Sequence, residues 1–79
     1  MPPDDLRAAG YTVLLRSTIG LATIELWRGE HGWCVRRAKL VERPVAVGTH
    51  TEDLYRDDQQ AAQVQYDAWV AEELEGRGL

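Results

Sequence analysis

The chain has 79 residues, 44% hydrophobic and 28% charged, with 13 acidic against 9 basic side chains and a formal net charge of −4; this supports one small domain and excludes a globally disordered chain. A domain of this size buries only roughly 60% of its unfolded surface, so function is expected on the surface rather than in a deep enclosed site. No apolar run approaches the roughly 20 residues of a membrane-spanning helix, the start Met1-Pro2-Pro3-Asp4-Asp5 is unlike a basic signal peptide, and Cys34 with His31 and His50 supplies neither a disulfide nor a four-ligand zinc site. The expectation is a cytoplasmic protein with no cofactor, no metal and no membrane partner.

Pro2-Pro3-Asp4-Asp5 reads as the start of a short helical turn that Gly10 ends. From Tyr11 to Val47, β-branched and aromatic residues punctuated by glycine predict a sheet. In the first strand, Thr12 to Ile19, strict alternation puts Val13, Leu15, Ser17 and Ile19 on one face. Ala22, Ile24 and Leu26 alternate with Thr23, Glu25 and Trp27 in the second strand. Gly29-Glu30-His31-Gly32 has the length and glycine content of a β-hairpin connection. The third strand, Trp33 to Ala38, sets Trp33, Val35 and Arg37 against Cys34, Arg36 and Ala38, and Val45-Ala46-Val47 after Pro44 predicts a fourth.

After Gly48 the period changes. Thr49-His50-Thr51-Glu52 has the form of a capping box and Asp57-Asp58-Gln59-Gln60 offers a second start, so a helix is expected from about Glu52 or Asp57 to Leu74. At 100° per residue, Leu54, Tyr55, Ala62, Tyr66 and Trp69 share one arc with Val70 at its edge, while Arg56, Asp57, Gln60, Gln63 and Asp67 lie opposite. Asp58 and Gln65 interrupt the apolar arc, which points to a kink near Asp57 or a partner contact. Residues 76–79 are expected to fray. Residues 1–75 therefore predict a single α+β domain: a three- to four-stranded antiparallel sheet packed against one long C-terminal helix, with a short N-terminal helical turn. One helix covers one face, so the other face must be polar or meet another molecule, leaving monomer and homodimer both open.

Charge is divided along the chain. Residues 1–56 hold seven acidic and eight basic side chains, whereas residues 57–79 hold six acidic (Asp57, Asp58, Asp67, Glu72, Glu73, Glu75) and only Arg77. Arg36, Arg37, Lys39 and Arg43 cluster around the third strand and the turn after it. Each run has a plain reading as a solvated face. Functionally, the acidic pole suits docking on a basic protein surface, whereas the basic cluster with Trp27 and Trp33 suits phosphates and stacked bases. The net acidity opposes direct nucleic-acid binding, which normally draws on a basic domain.

The remaining chemistry is sparse. Cys34 and His31 suggest a thiol and base, but a turn histidine and a strand cysteine need not face each other, and a strand cysteine usually packs as a small hydrophobe. His50 reads as a turn residue. No phosphate-binding glycine loop is present, and Asp57-Asp58 and Glu72-Glu73 diverge by about 100° on a helix, so no catalytic residues and no enzyme are expected. Trp69 belongs to the helical core stripe. Trp27, opposite the Ala22-Ile24-Leu26 face, is a possible partner anchor.

Two resemblances follow. Gly32-Trp33-Cys34-Val35 through Val47-Gly48-Thr49-His50-Thr51-Glu52 to Gln60-Ala61-Ala62 and Trp69-Val70 resembles the strand, strand, Gly-Thr, long-helix progression of HicB-type antitoxins. That resemblance implies an antitoxin module neutralising a small toxin. The whole chain, acidic, poor in cysteine and built of one sheet and one helix, is similar to phage-encoded anti-CRISPR proteins of type I systems. This second resemblance implies a non-catalytic inhibitor that binds a CRISPR effector subunit in the host cytoplasm and, as a DNA mimic, blocks target recognition. Asp57, Asp58, Asp67, Glu72, Glu73 and Trp27 would then meet the protein partner. A nucleic-acid-binding domain using Arg36, Arg37, Lys39 and Arg43 is the remaining alternative.

Overall fold

The computed structural model describes residues 5–42 and 47–76, and the side chains of residues 6–40 and 48–76. It is an α+β fold: helix α1 (Asp5–Ala8), strands β1 (Thr12–Ile19), β2 (Ala22–Arg28), β3 (Trp33–Glu42) and β4 (Val47–Arg56), then helix α2 (Gln59–Glu75). The strands form an antiparallel sheet in chain order β1-β2-β3-β4. No helix among the described residues is long and apolar enough to cross a membrane.

Local chemistry sets the turns. Gly20 takes φ +61° at the first central position of the two-residue β1–β2 connection, as a type II′ turn requires. Gly29 N–H donates to the Gly32 carbonyl at 2.7 Å, closing the predicted hairpin between β2 and β3. The Tyr11 ring packs against the Gly29 backbone so closely that a Cβ there would sit 2.5 Å from its edge. Gly29→Ala is therefore expected to push the ring out of its edge-to-face contact with Tyr55 and lower stability by about 1–2 kcal/mol. Gly48→Ala, where nothing lies within 4 Å, should change stability by less than about 0.5 kcal/mol. Thermal melts of the two variants that coincide would contradict this packing.

The sheet sorts its side chains by face. Toward α2 it presents Ala22, Ile24, Leu26 and Val35, which join Ala62, Tyr66 and Trp69 of α2 in the main core. Tyr66 adds a polar tether, its hydroxyl lying 2.6 Å from Ser17 Oγ. On the opposite face Leu6 of α1 packs with Trp27 and Cys34, flanked by Tyr11 and Val13. Farther along that face the register aligns Arg16, Glu25, Arg36 and Asp53 on four successive strands. Arg16 Nε donates to Glu25 Oε2 at 2.7 Å, and Arg36 makes a forked pair with Asp53 at 2.8 and 2.9 Å. The face without α2 is thus part apolar and covered by α1, and part polar with its charges matched internally.

Three expectations are corrected. The register of β1 shifts between Val13 and Leu15, a bulge that turns Val13 to the face opposite Leu15, Ser17 and Ile19. The stretch containing Thr49-His50-Thr51-Glu52 is strand, not helix: all of Val47–Arg56 pairs with β3, so Leu54 faces α2 and Tyr55 faces away. The second start, Asp57-Asp58-Gln59-Gln60, is the one the fold uses: the helix begins at Gln59 with Asp58 as its N-cap, the carboxylate accepting from Ala61 N–H at 2.8 Å. Asp58 therefore precedes the helix, and Gln65 accepts from Arg56 Nη2 at 3.2 Å, so neither needs a kink or a partner. Residues 1–4, 43–46 and 77–79, including Pro2-Pro3-Asp4, Arg43, Pro44-Val45-Ala46 and most of the tail expected to fray, lie outside the described residues.

Candidate functional site

The acidic and basic poles separated in the sequence meet in the fold. Arg37 lies on the helix-facing side of β3, where Nη1 donates to Glu72 Oε1 at 2.9 Å and Nη2 to both Glu52 carboxylate oxygens at 3.1 Å. Glu73 Oε2 is 3.5 Å from Nη1, and the guanidinium stands 4.5 Å from the Trp69 ring centroid. Lys39 closes the cluster with Nζ 2.9 Å from Glu73 Oε2. Burial works against the charge on Arg37, but the hydrogen bonds and fields of Glu72 and Glu52 prevail and raise its pKa above the ordinary arginine value. Its Nε is buried without a hydrogen-bond partner.

The predicted basic patch does not assemble. Successive strand residues point to opposite faces, so Arg37 and Lys39 lie under α2 while Arg36, only 9% exposed, is held against Asp53 on the other side. Arg43 falls outside the described residues. Trp27 is not a surface anchor either. It is 3% exposed, its indole N–H donates to Glu25 Oε1 at 3.0 Å, and the Arg7 guanidinium sits 5.4 Å from its ring centroid. Sequence alternation placed it on the face away from α2, but α1 covers that end of the face.

Of the acidic residues, Glu72 and Glu73 turn toward the strand cations and Asp58 caps the helix. Asp67 accepts from Gln63 Nε2 at 3.1 Å. Among the described residues Asp57, Asp67 and Glu75 are exposed and meet no cation. The outer surface of α2 spaces Gln60, Val64, Asp67, Ala71 and Leu74 by alternating steps of four and three, so they form one ridge, and all five are exposed. Val64 is 62% and Leu74 50% exposed. This ridge, apolar at Val64, Ala71 and Leu74, carries Asp67, with Asp57 just before the helix and Glu75 at its last residue; it is the acidic surface that the fold leaves available.

Cys34 is fully buried, as a small hydrophobe would be. His31 stands in the exposed hairpin turn, 3.8 Å from Glu30, and His50 lies on β4, 3.6 Å from Glu52. Burial, with the nearby Cys34 and Asp53, raises the Tyr55 hydroxyl above the ordinary tyrosine range. Among the described residues no group of three or more His, Cys, Asp or Glu is arranged to hold a metal ion.

No family model, curated protein or solved structure matches the chain.

One constellation was missed in the sequence. Thr12, Arg28, Trp33 and Arg56 are directly opposite one another on the four strands. The Gly29–Gly32 hairpin already implied the neighbouring of Arg28 and Trp33. Arg56 was placed in a helix, which hid its position beside Trp33.

Proposed function

We propose that the protein is a non-catalytic protein-binding inhibitor, an anti-CRISPR protein that docks on a type I effector complex and blocks recognition of target DNA. The observation that carries this reading is the outer ridge of α2, where exposed Val64 and Leu74 are bordered by carboxylates without cation partners. A surface that receives DNA is basic, and an acidic ridge is attracted to it over roughly a Debye length of 8–10 Å. Apolar side chains within a charged border are the composition from which protein contacts gain affinity. In this reading Asp57 and Asp67 take the steering role together with Glu75, whereas Asp58 caps the helix and Glu72 and Glu73 serve chiefly within the fold.

The test is binding to a purified type I effector complex across a salt series. The triple variant Asp57→Lys, Asp67→Lys, Glu75→Lys is expected to bind at least about tenfold more weakly, with a shallower salt dependence. Val64→Asp is expected to weaken binding without changing that dependence in the same way. An effector that ignores the wild-type protein, or binds the triple variant with unaltered affinity and salt slope, would refute the assignment.

A further inference from the structure

The ion pairs of the sheet leave two cations over. Among the described residues Arg16, Arg36, Arg37 and Lys39 each meet a carboxylate, whereas Arg28 and Arg56 meet none. These two flank Trp33 in one cross-strand row on the helix-facing side of the sheet. Neighbouring strands are roughly 4.8 Å apart, which sets the backbones of Arg28 and Arg56 about 10 Å from each other, a gap their long side chains can span. The Arg28 guanidinium lies over the indole, 5.9 Å from the ring centroid. Arg56 is oriented by donating to the Tyr55 carbonyl at 2.8 Å and to Gln65 Oε1 at 3.2 Å, which uses only part of its donor capacity. Beside Arg28 opens a shallow depression of about 640 Å³, lined by Gly10, Thr12, Leu14, Gly29 and Glu30.

The geometry points to a binding site for a nucleotide unit, with the phosphate taken by Arg28 and Arg56 and the base stacked on the outer face of the exposed Arg28 guanidinium, whose inner face lies over the half-buried Trp33 ring. Guanidinium planes and indoles are the two side-chain surfaces on which bases stack, and the guanidinium fork matches phosphate oxygens. This site is distinct from the acidic ridge of α2 and does not depend on it. The net charge of −4 and the carboxylate of Glu30 in the same depression repel phosphate around this row. Binding is therefore local and weak, set by one or two phosphates rather than by a long backbone track.

The source of the nucleotide, free or within a single strand, is separated by using adenosine monophosphate in one arm and a short oligoadenylate in the other. The readout is the indole N–H resonance of each tryptophan in the full chain. Saturable movement of the Trp33 signal, with the buried Trp27 and Trp69 signals unmoved, is expected in at least one arm. Saturation by the mononucleotide at similar affinity identifies a free nucleotide as sufficient. A strong preference for the strand, with a slope of log K against log salt of about −1.4 for two phosphates, identifies the strand. Arg28→Ala and Arg56→Ala should each remove about 0.7 of that slope in the strand arm and weaken binding severalfold in either, whereas Arg16→Ala should leave it unchanged. An unmoved Trp69 resonance reports that each variant is folded. The site is overturned by a Trp33 signal that does not respond at low salt, by a response that survives both substitutions together, or by a polyglutamate peptide that moves the same signals equally.

Discussion

Trp69→Ala is expected to come close to unfolding the protein. Only three side chains of α2, Ala62, Tyr66 and Trp69, are buried, so the helix is attached to the sheet by a narrow apolar seam in which the indole is the largest member. Truncating a buried Trp removes about 3–5 kcal/mol through lost transfer energy and the cavity left behind. A 79-residue domain has about 4–12 kcal/mol to lose at ~0.05–0.15 kcal/mol per residue. The loss also removes the ring beneath Arg37, which stands 4.5 Å from its centroid, so the charged cluster loosens with the core. Urea titration followed by far-ultraviolet circular dichroism should show the midpoint collapse in Trp69→Ala and most of it recovered in Trp69→Phe. A shift below about 1 kcal/mol would mean that α2 is held by something other than this seam.

The second large effect is expected at Arg37. Its side chain is 12% exposed and answers three carboxylates, Glu52, Glu72 and Glu73. Arg37→Ala leaves those carboxylates facing one another with only Lys39 nearby, and it uncovers the Trp69 ring. Removing one partner from a buried ion pair destabilises by about 3–5 kcal/mol. Glu72 and Glu52 are 61% and 40% exposed, and solvent screening reduces the expected loss to about 2 kcal/mol. Part of this is repulsion, so the deficit should shrink as salt is added. Arg37→Met keeps an apolar stem over Trp69, so it should be the milder substitution. A loss in Arg37→Ala that does not change with salt and that Arg37→Met fully recovers would show that the cluster matters only as filling.

What was legible in the sequence follows from the range of the interactions. The Gly29–Gly32 hairpin, the Ala22-Ile24-Leu26 face and the Ala62-Tyr66-Trp69 stripe are local patterns, and the fold realises them. β4 was misread because Thr49-His50-Thr51-Glu52 satisfies a helix-start pattern on its own, and only pairing with β3 across the chain decides otherwise. Val13 was misplaced because a bulge breaks the two-residue period that alternation assumes. The candidate site suffered most. Arg37 meets Glu72, 35 positions away, and no windowed reading of charge can tell two poles that repel solvent partners from two poles that neutralise each other. Trp27 was judged by its strand face alone, without the four-residue helix that closes over it.

The row Arg16, Glu25, Arg36 and Asp53 bears on how the sheet finds its pairing. Sliding a strand by two residues keeps every side chain on its own face, so burial alone barely distinguishes the slipped arrangement. The charges do distinguish it. Such a slip sets Arg36 opposite Thr23 or Trp27 on one side, and opposite Thr51 or Tyr55 on the other, abandoning a nearly buried guanidinium among partners that cannot answer it. The alternation of sign across four strands thus acts as an alignment key: a wrong pairing is penalised even where the correct one gains little net stability.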